Sequence, residues 1–327
     1  MITVEMKRAI SKIVLSKEEF LAMHSRTPLH AKVYDDILLL VGEVVTSKIS
    51  IRKAAQVLCM YSTLLLCKHT VTTREMFYQK RALFKNTSQV QALIRAAASG
   101  LKVNSSAFNI VPSLKGLACG PFSITAHGME THFSGVCAIP RLADGAAALS
   151  SADIVLVVEK EAIFHTLVQK KEEIEARVGK TMLIVTGKGY PCRNTLVLLM
   201  HLSHIKTVGI FDCDPHGLNI FKVYKQGSRK NPHLCLPRLS RAGVYLSEVE
   251  NLAALSSILP SSKEYALLRN ITPKQAAALD IAHDLAYMVL HQKKASIEDV
   301  LISASLPLYF SLKIRELFSY TDSSSRS

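Results

Sequence analysis

Ile154-Val155-Leu156-Val157-Val158-Glu159 is a run of five apolar residues, four of them β-branched, closed by an acid. A strand with one wet face alternates apolar and polar residues. An unbroken run signals a strand buried on both faces, as in a parallel sheet covered by helices. Two more runs repeat the pattern. Thr181-Met182-Leu183-Ile184-Val185 leads into Thr186-Gly187-Lys188-Gly189, and Val208-Gly209-Ile210-Phe211 leads into Asp212-Cys213-Asp214-Pro215. Helical stretches at about 161–177 and 193–204 separate the runs, so the fold class of this part is α/β with a parallel sheet. Functional groups of such sheets collect at the carboxyl ends of the strands. Here that edge carries Glu159, Asp212 and Asp214.

Strand periodicity places Asp212 and Asp214 on one side and Cys213 on the other. Three carboxylates on one edge repel unless a cation neutralises them. An all-oxygen set suits Mg²⁺, which binds through a few carboxylates, waters and phosphate oxygens. Gly217 allows a tight turn behind the acids, and Lys188 offers a phosphate contact from the neighbouring loop. His201 and His204, three apart on a helix, have metal-ligand spacing but no acidic or cysteine partner nearby, so packing or exposure outweighs ligation. His216 lies inside the acidic loop and is either a substrate contact or an exposed side chain.

Upstream the chemistry changes. Thr72-Thr73-Arg74-Glu75-Met76-Phe77-Tyr78 carries a capping-box pattern, Thr72 with Glu75, that predicts a helix start. Arg74 and Tyr78 are four apart and share a face. A phenol is a poor nucleophile at neutral pH, and a fixed guanidinium can stabilise both a phenolate and an attacked phosphate. Tyr78 is therefore the candidate nucleophile and Arg74 its helper, against the simpler reading of an aromatic on a packed helix. Helices are expected around Tyr34–Val41, over Ile51–Cys67, from Thr72, and from Asn86 to near Gly100 with Val90, Leu93, Ile94 and Ala97 on one face. Strands around Phe108–Val111 and Phe122–Thr125 follow, separated by a turn with Gly116, Gly120 and Pro121. Helices followed by a hairpin is the order of a winged helix-turn-helix module.

Charge agrees with that module. The 327-residue chain carries a net +14, and between Val44 and Met129 eleven Lys and Arg face one acid, Glu75. Such a stretch is the footprint of a nucleic-acid backbone, and Lys80, Arg81 and Arg95 are its candidate DNA contacts. Seven cysteines without paired short spacing argue against a disulfide framework or zinc ribbon and for a reducing compartment. No apolar run reaches membrane-spanning length, and no secretory pattern opens the chain, so a soluble intracellular protein without a membrane partner is expected. The expected organisation is an extension over 1–30, a DNA-binding domain over 31–140, and a sheet domain with C-terminal helices over 141–327. Those helices include Pro273–Leu290 and about 296–304, and the Ser-rich tail Tyr320–Ser327 reads as disordered.

Five motifs taken together resemble one family. Thr73-Arg74-Glu75-Met76-Phe77-Tyr78, Gly135-Val136-Cys137-Ala138-Ile139-Pro140, Val157-Val158-Glu159-Lys160-Glu161, Thr186-Gly187-Lys188-Gly189-Tyr190-Pro191 and Asp212-Cys213-Asp214-Pro215-His216-Gly217 occur in that family's order. The chain resembles, over about 35–250, the meiotic double-strand-break transesterases related to the A subunit of type IIB DNA topoisomerase (topoisomerase VI). The resemblance implies a winged-helix (CAP-like) domain with the nucleophilic Tyr78 and its helper Arg74, followed by a Toprim domain that binds Mg²⁺ through Glu159, Asp212 and Asp214. It places Lys188 and Tyr190 near the DNA. It further implies a nuclear, chromosomal homodimer acting on double-stranded DNA with B-subunit-like and other meiotic accessory proteins, its cleavage needing no ATP. Glu75 stands where the family usually has Asp, His216 where it commonly has an aromatic, and Arg241-Ala242-Gly243 where it usually has Trp-Leu-Gly. Lys170–Arg177 reads as an insertion. A true topoisomerase VI A subunit, a Toprim nuclease or primase independent of Tyr78, and a non-catalytic DNA-binding scaffold are the alternatives.

Overall fold

The computed structural model describes residues 71–79, 81, 84–100, 110–111, 114–142, 145–228, 231–249, 255, 257, 263–269, 271–301 and 305–324. They fall into two compact units that divide between Ser113 and Leu114. The expected N-terminal segment, the helices between 31 and 70, and Lys80 lie outside the described residues.

In the first unit the expected cap is closed from both sides. The Thr72 amide donates to Glu75 Oε2 at 2.6 Å, and the Glu75 amide to Thr72 Oγ1 at 3.1 Å. This reciprocal pair starts α1 (Thr73–Gln79), which buries Thr73 and Met76. Asn86 Oδ1 accepts the Gln89 amide at 3.1 Å and opens α2 (Thr87–Gly100). Val90, Leu93 and Ile94 are buried on one face of α2, as their helical spacing predicts.

Among the described residues, the two strands expected to make the wing do not pair with each other. β1 (Val71–Thr72) runs parallel to β2 (Ile110–Val111) in the first unit. Phe122 belongs instead to the second unit, in β4 (Phe122–Ala126), which forms a hairpin with β5 (Met129–Phe133). The reason is local. His127 and Gly128 both take positive φ, the backbone a two-residue hairpin turn needs, and Phe122 stacks on Phe133 at 4.6 Å. The expected turn around Gly116–Pro121 also contains a strand, β3 (Leu117–Cys119), paired antiparallel to β6 (Cys137–Ala138). These strands thus contribute to the second unit's sheets, and the units divide ahead of them.

The remaining strands are β7 (Ala147–Leu149), β8 (Ile154–Val158), β9 (Met182–Thr186), β10 (Lys206–Ile210) and β11 (Ser240–Gly243). β7 joins β4 and β5 in a three-stranded sheet. The main sheet has the order β11-β10-β8-β9-β3-β6. Its four central and edge strands β8 to β11 are parallel, and β3 meets β9 antiparallel. Every side chain of β8 and β9 is buried, which is why no polar alternation interrupts their sequences. This is the mixed α/β fold with a parallel sheet expected from the apolar runs.

Helices cover the sheet: α3 (Glu161–Gln169), α4 (Lys171–Val178), α5 (Arg193–His201), α6 (Pro215–Gln226), α7 (Lys263–Arg269), α8 (Pro273–Leu279), α9 (Ala282–His291), α10 (Ile297–Val300) and α11 (Leu306–Ser324). Two expected helices are broken. The 161–177 segment breaks at Lys170, and the Pro273–Leu290 segment breaks at Asp280, whose φ is +56°. The tail expected to be disordered is helical through Ser324, because α11 buries Phe310 and Ile314 and packs along α4. No helix among the described residues is long and apolar enough to cross a membrane.

Behind the sheet's carboxyl edge sits a buried ion pair. Arg241 of β11 bonds to Asp284 of α9 and to the Val244 carbonyl, with side chains 3% and 5% exposed. Asp284 also accepts from Cys213 Sγ at 3.7 Å. Neutralising one partner leaves the other charge buried and unpaired. Asp284→Asn is expected to lower stability in urea unfolding by about 3–5 kcal/mol, and Arg241→Met with Asp284→Leu to recover part of that loss.

Candidate metal edge and nucleophile-bearing helix

Glu159 is the first residue past β8, and its two ends tie three strand termini together. Its carbonyl accepts the Gly189 amide at 2.9 Å and Thr186 Oγ1 at 3.2 Å, both from the end of β9. Its Oε2 accepts the Asp212 amide at 3.0 Å, beyond β10. Asp212, 5% exposed, accepts the Ile297 amide at the start of α10 at 3.0 Å through Oδ1. Its Oδ2 is 2.8 Å from the Lys160 ammonium, which also reaches Glu298 at 2.5 Å.

Asp214 is the N-cap of α6, and its Oδ1 accepts the Gly217 amide at 2.6 Å. Asp-Pro at N-cap and N1 is a helix-start signal, so this cap is legible in Asp214-Pro215. Gly217 is needed for a different reason than a turn. A Cβ there would lie 2.3 Å from the Asp212 carbonyl oxygen. Cys213 points away from the acids, as strand alternation predicts, and is buried. Its backbone exchanges two hydrogen bonds with Ala295, at 2.8 and 3.0 Å.

Crowding of like charge shows in the acids. Burial first, and then the neighbouring Asp212 and Asp214 charges, push the Glu159 carboxyl up to about 8. Burial also raises Asp212, against the pull of Lys160 and the Ile297 amide. For Lys160 the desolvation that would lower its pKa is outweighed by the bonds to Asp212 and Glu298. The three acids lie on one edge as expected. Among the described residues, no three His, Cys, Asp or Glu side chains are gathered closely enough to hold a cation as they stand.

Lys188 and Tyr190 stand on the loop after β9, at the same edge. Lys188 has φ +53° and pairs with Glu161 at 2.7 Å. The Tyr190 hydroxyl accepts from Asn219 Nδ2 at 2.6 Å, and its carbonyl accepts from Lys115 Nζ at 3.0 Å. His201, His204 and His216 are exposed. In the first unit Tyr78 is 62% exposed at the end of α1, its ring 5.4 Å from that of Phe77. Arg74, one turn earlier, is exposed, as are Arg81 and Arg95. Lys160, Glu298, Arg241 and Asp284 are the site residues that sequence reading passes over. Lys160 has a local signal, a lysine at a helix N-cap position between two glutamates, whereas Glu298 lies 138 residues away.

Comparison with known proteins joins both parts. Residues 154–310 match the family model of the Toprim domain of Spo11 and the topoisomerase 6 A-subunit, and residues 51–110 match that of type IIB DNA topoisomerase. The second unit's main sheet is thus a Toprim fold. Residues 154–310 therefore form a Toprim domain of the Spo11 and topoisomerase 6 A-subunit type. It is 34% identical over 187 residues to the probable meiosis-specific protein SPO11 homolog of Encephalitozoon cuniculi, covering 55% of this chain and 61% of that protein. It is 29% identical over 243 residues to the meiotic recombination protein rec12 of Schizosaccharomyces pombe, covering 71% and 68%. To the human meiotic recombination protein SPO11 it is 28% identical over 221 residues, covering 64% and 55%. The matched part therefore spans about half to two thirds of these relatives' lengths.

Two outcomes follow from the geometry. Glu159 has a folded-state pKa of about 8 against an ordinary 4.5, so the folded, metal-free chain binds this proton more tightly than the unfolded chain. Its stability is expected to fall as pH rises from 4.5 to about 8, and Glu159→Gln to flatten that slope in melting curves. Gly217→Ala must push the Asp212 backbone aside, and is expected to lower stability in urea unfolding by about 1–3 kcal/mol, the usual cost of overpacking.

Proposed function

We propose that this chain is a DNA transesterase that makes meiotic double-strand breaks, with Tyr78 as the nucleophile and Mg²⁺ held by Glu159, Asp212 and Asp214. The observation that carries it is an all-carboxylate edge on a Toprim sheet in a chain that also bears an exposed tyrosine on a capped helix, one turn after an arginine. The names of the relatives support the meiotic branch over a topoisomerase VI A subunit. Strand passage on addition of a B subunit would favour the latter.

The donor set fits magnesium. All three side chains offer oxygens, one carboxyl is raised by burial and by like charge that a cation would relieve, and an ammonium already stands on Asp212. When bound, the ion supplies positive charge for the phosphate and the leaving oxygen. The chain's own groups do the rest. The Tyr78 oxygen bonds to phosphorus, its proton is lost to solvent, and the bond from phosphorus to the 3′ oxygen breaks. The 3′ oxygen takes up a proton from solvent and leaves as a hydroxyl, and one phosphoester replaces another, so no nucleotide is consumed. Arg74 stabilises the phenolate and the phosphate charge. A winged-helix first domain supplies Arg81, Arg95 and Lys80 to the backbone, and Lys188 and Tyr190 approach the DNA once Lys188 leaves Glu161. A homodimer would present one Tyr78 to each strand on the chromosome, with B-subunit-like and other meiotic accessory partners.

The test is a covalent-adduct assay. Protein recovered from meiotic cells under denaturing conditions and end-labelled at 3′ hydroxyls is expected to carry label, and Tyr78→Phe none. Label on both would remove Tyr78 from the reaction. On DNA, Arg81→Ala with Arg95→Ala is expected to reduce the slope of log affinity against log salt by about 2. An unchanged slope would take both residues out of the interface.

A further inference from the structure

Lys160 is in a poor place for a lysine. It is the N-cap of α3, has no side-chain cap bond, and sits where the helix dipole disfavours positive charge. Two acids from distant parts of the chain hold it there: Asp212 Oδ2 at 2.8 Å and Glu298 Oε2 at 2.5 Å. The ammonium therefore occupies a carboxylate oxygen that a divalent ion would need. The side chain is 32% exposed and Glu298 52%, so water reaches both partners. Glu298 follows Ile297, whose amide holds the other oxygen of Asp212. A residue that breaks a local rule and gains two specific partners points to a role beyond packing.

We propose that Lys160 is the resident counter-cation of Asp212, and that Glu298 is the site to which its ammonium retreats when a divalent ion takes Asp212. This rests on the acidic edge being a metal site. Lys160 and Glu298 are then positioning residues that set how tightly the edge holds its ion. Without metal the ammonium limits repulsion among the three acids. With metal it stays tethered beside the edge by Glu298. The two residues affect metal binding with opposite signs. Removing the lysine removes a competitor, whereas removing the glutamate takes away the competitor's alternative partner.

The experiment is calorimetric titration of the full chain with MgCl₂ and MnCl₂, alongside metal-dependent shifts in melting temperature. Lys160→Met, with Lys160→Gln as a second variant if the first does not fold, is expected to tighten Mg²⁺ binding by roughly tenfold, the scale of one partly screened charge contact. Glu298→Gln is expected to weaken binding by roughly threefold, and to have no effect once Lys160 is gone. Binding that is unchanged or weaker in both lysine variants overturns the counter-cation role while leaving the metal edge intact. Absence of binding in wild type with binding in a lysine variant supports it. Absence in every chain removes the metal edge and the proposal together.

Discussion

Acids crowded on one strand edge, Asp212 buried and Glu159 and Asp214 half-buried, govern this molecule. Glu159, Asp212 and Asp214 are brought to one edge by strands whose burial leaves them no freedom to splay apart. Each acid takes a backbone N–H: Glu159 from Asp212 and Asp212 from Ile297, both distant in sequence, and Asp214 from Gly217 of the helix it caps. Those three bonds stitch β8, the loop after β10, α6 and α10 into one unit. The Arg241–Asp284 pair closes the same loop from behind through Cys213. The geometry of the edge is therefore set by charge compensation as much as by the apolar sheet beneath it.

The two sets of candidate functional groups are held in contrasting ways. The acids are clamped, and Asp212 is nearly inaccessible. Tyr78 projects from a seven-residue helix that opens with a reciprocal capping box. A group that must meet the backbone of a long polymer has to stand clear of its own fold. Groups that must hold a small ion have to be fixed against their mutual repulsion. The tyrosine's helix rests on a cap within three residues, whereas the acids draw N–H donors from as far as 85 residues away.

Much of this is legible in the sequence because it depends on local order. Unbroken apolar runs mark buried strands, and Glu159 and Asp212 follow them directly. Thr72 with Glu75, and Asn86, are caps that act within three residues. What escapes depends on contacts between distant residues or on a choice among pairings. Chain order alone sets the strand at Phe122 against Phe108–Val111, but a tight His127-Gly128 turn gives it a nearer partner. Asp214 reads as an acid in a cluster, although Pro215 also marks it as a cap. Nothing around Glu298 or Asp284 indicates that either meets a residue tens of positions earlier, and Lys160 shows its oddity only once α3 is known to begin after it.

The later part of the chain is inseparable from the acids. Cys213 and Ala295 exchange both backbone bonds, and two residues further on Ile297 caps Asp212. The bonds along this short bridge are made by main-chain atoms, while the side chains of Ala295 and Ile297 are buried in the core. Its length is fixed. Inserting or deleting a single residue between 295 and 297 would carry the Ile297 amide away from its carboxylate, so this segment measures out a distance in the way a spacer does, and its register is as much a part of the acidic edge as the acids themselves.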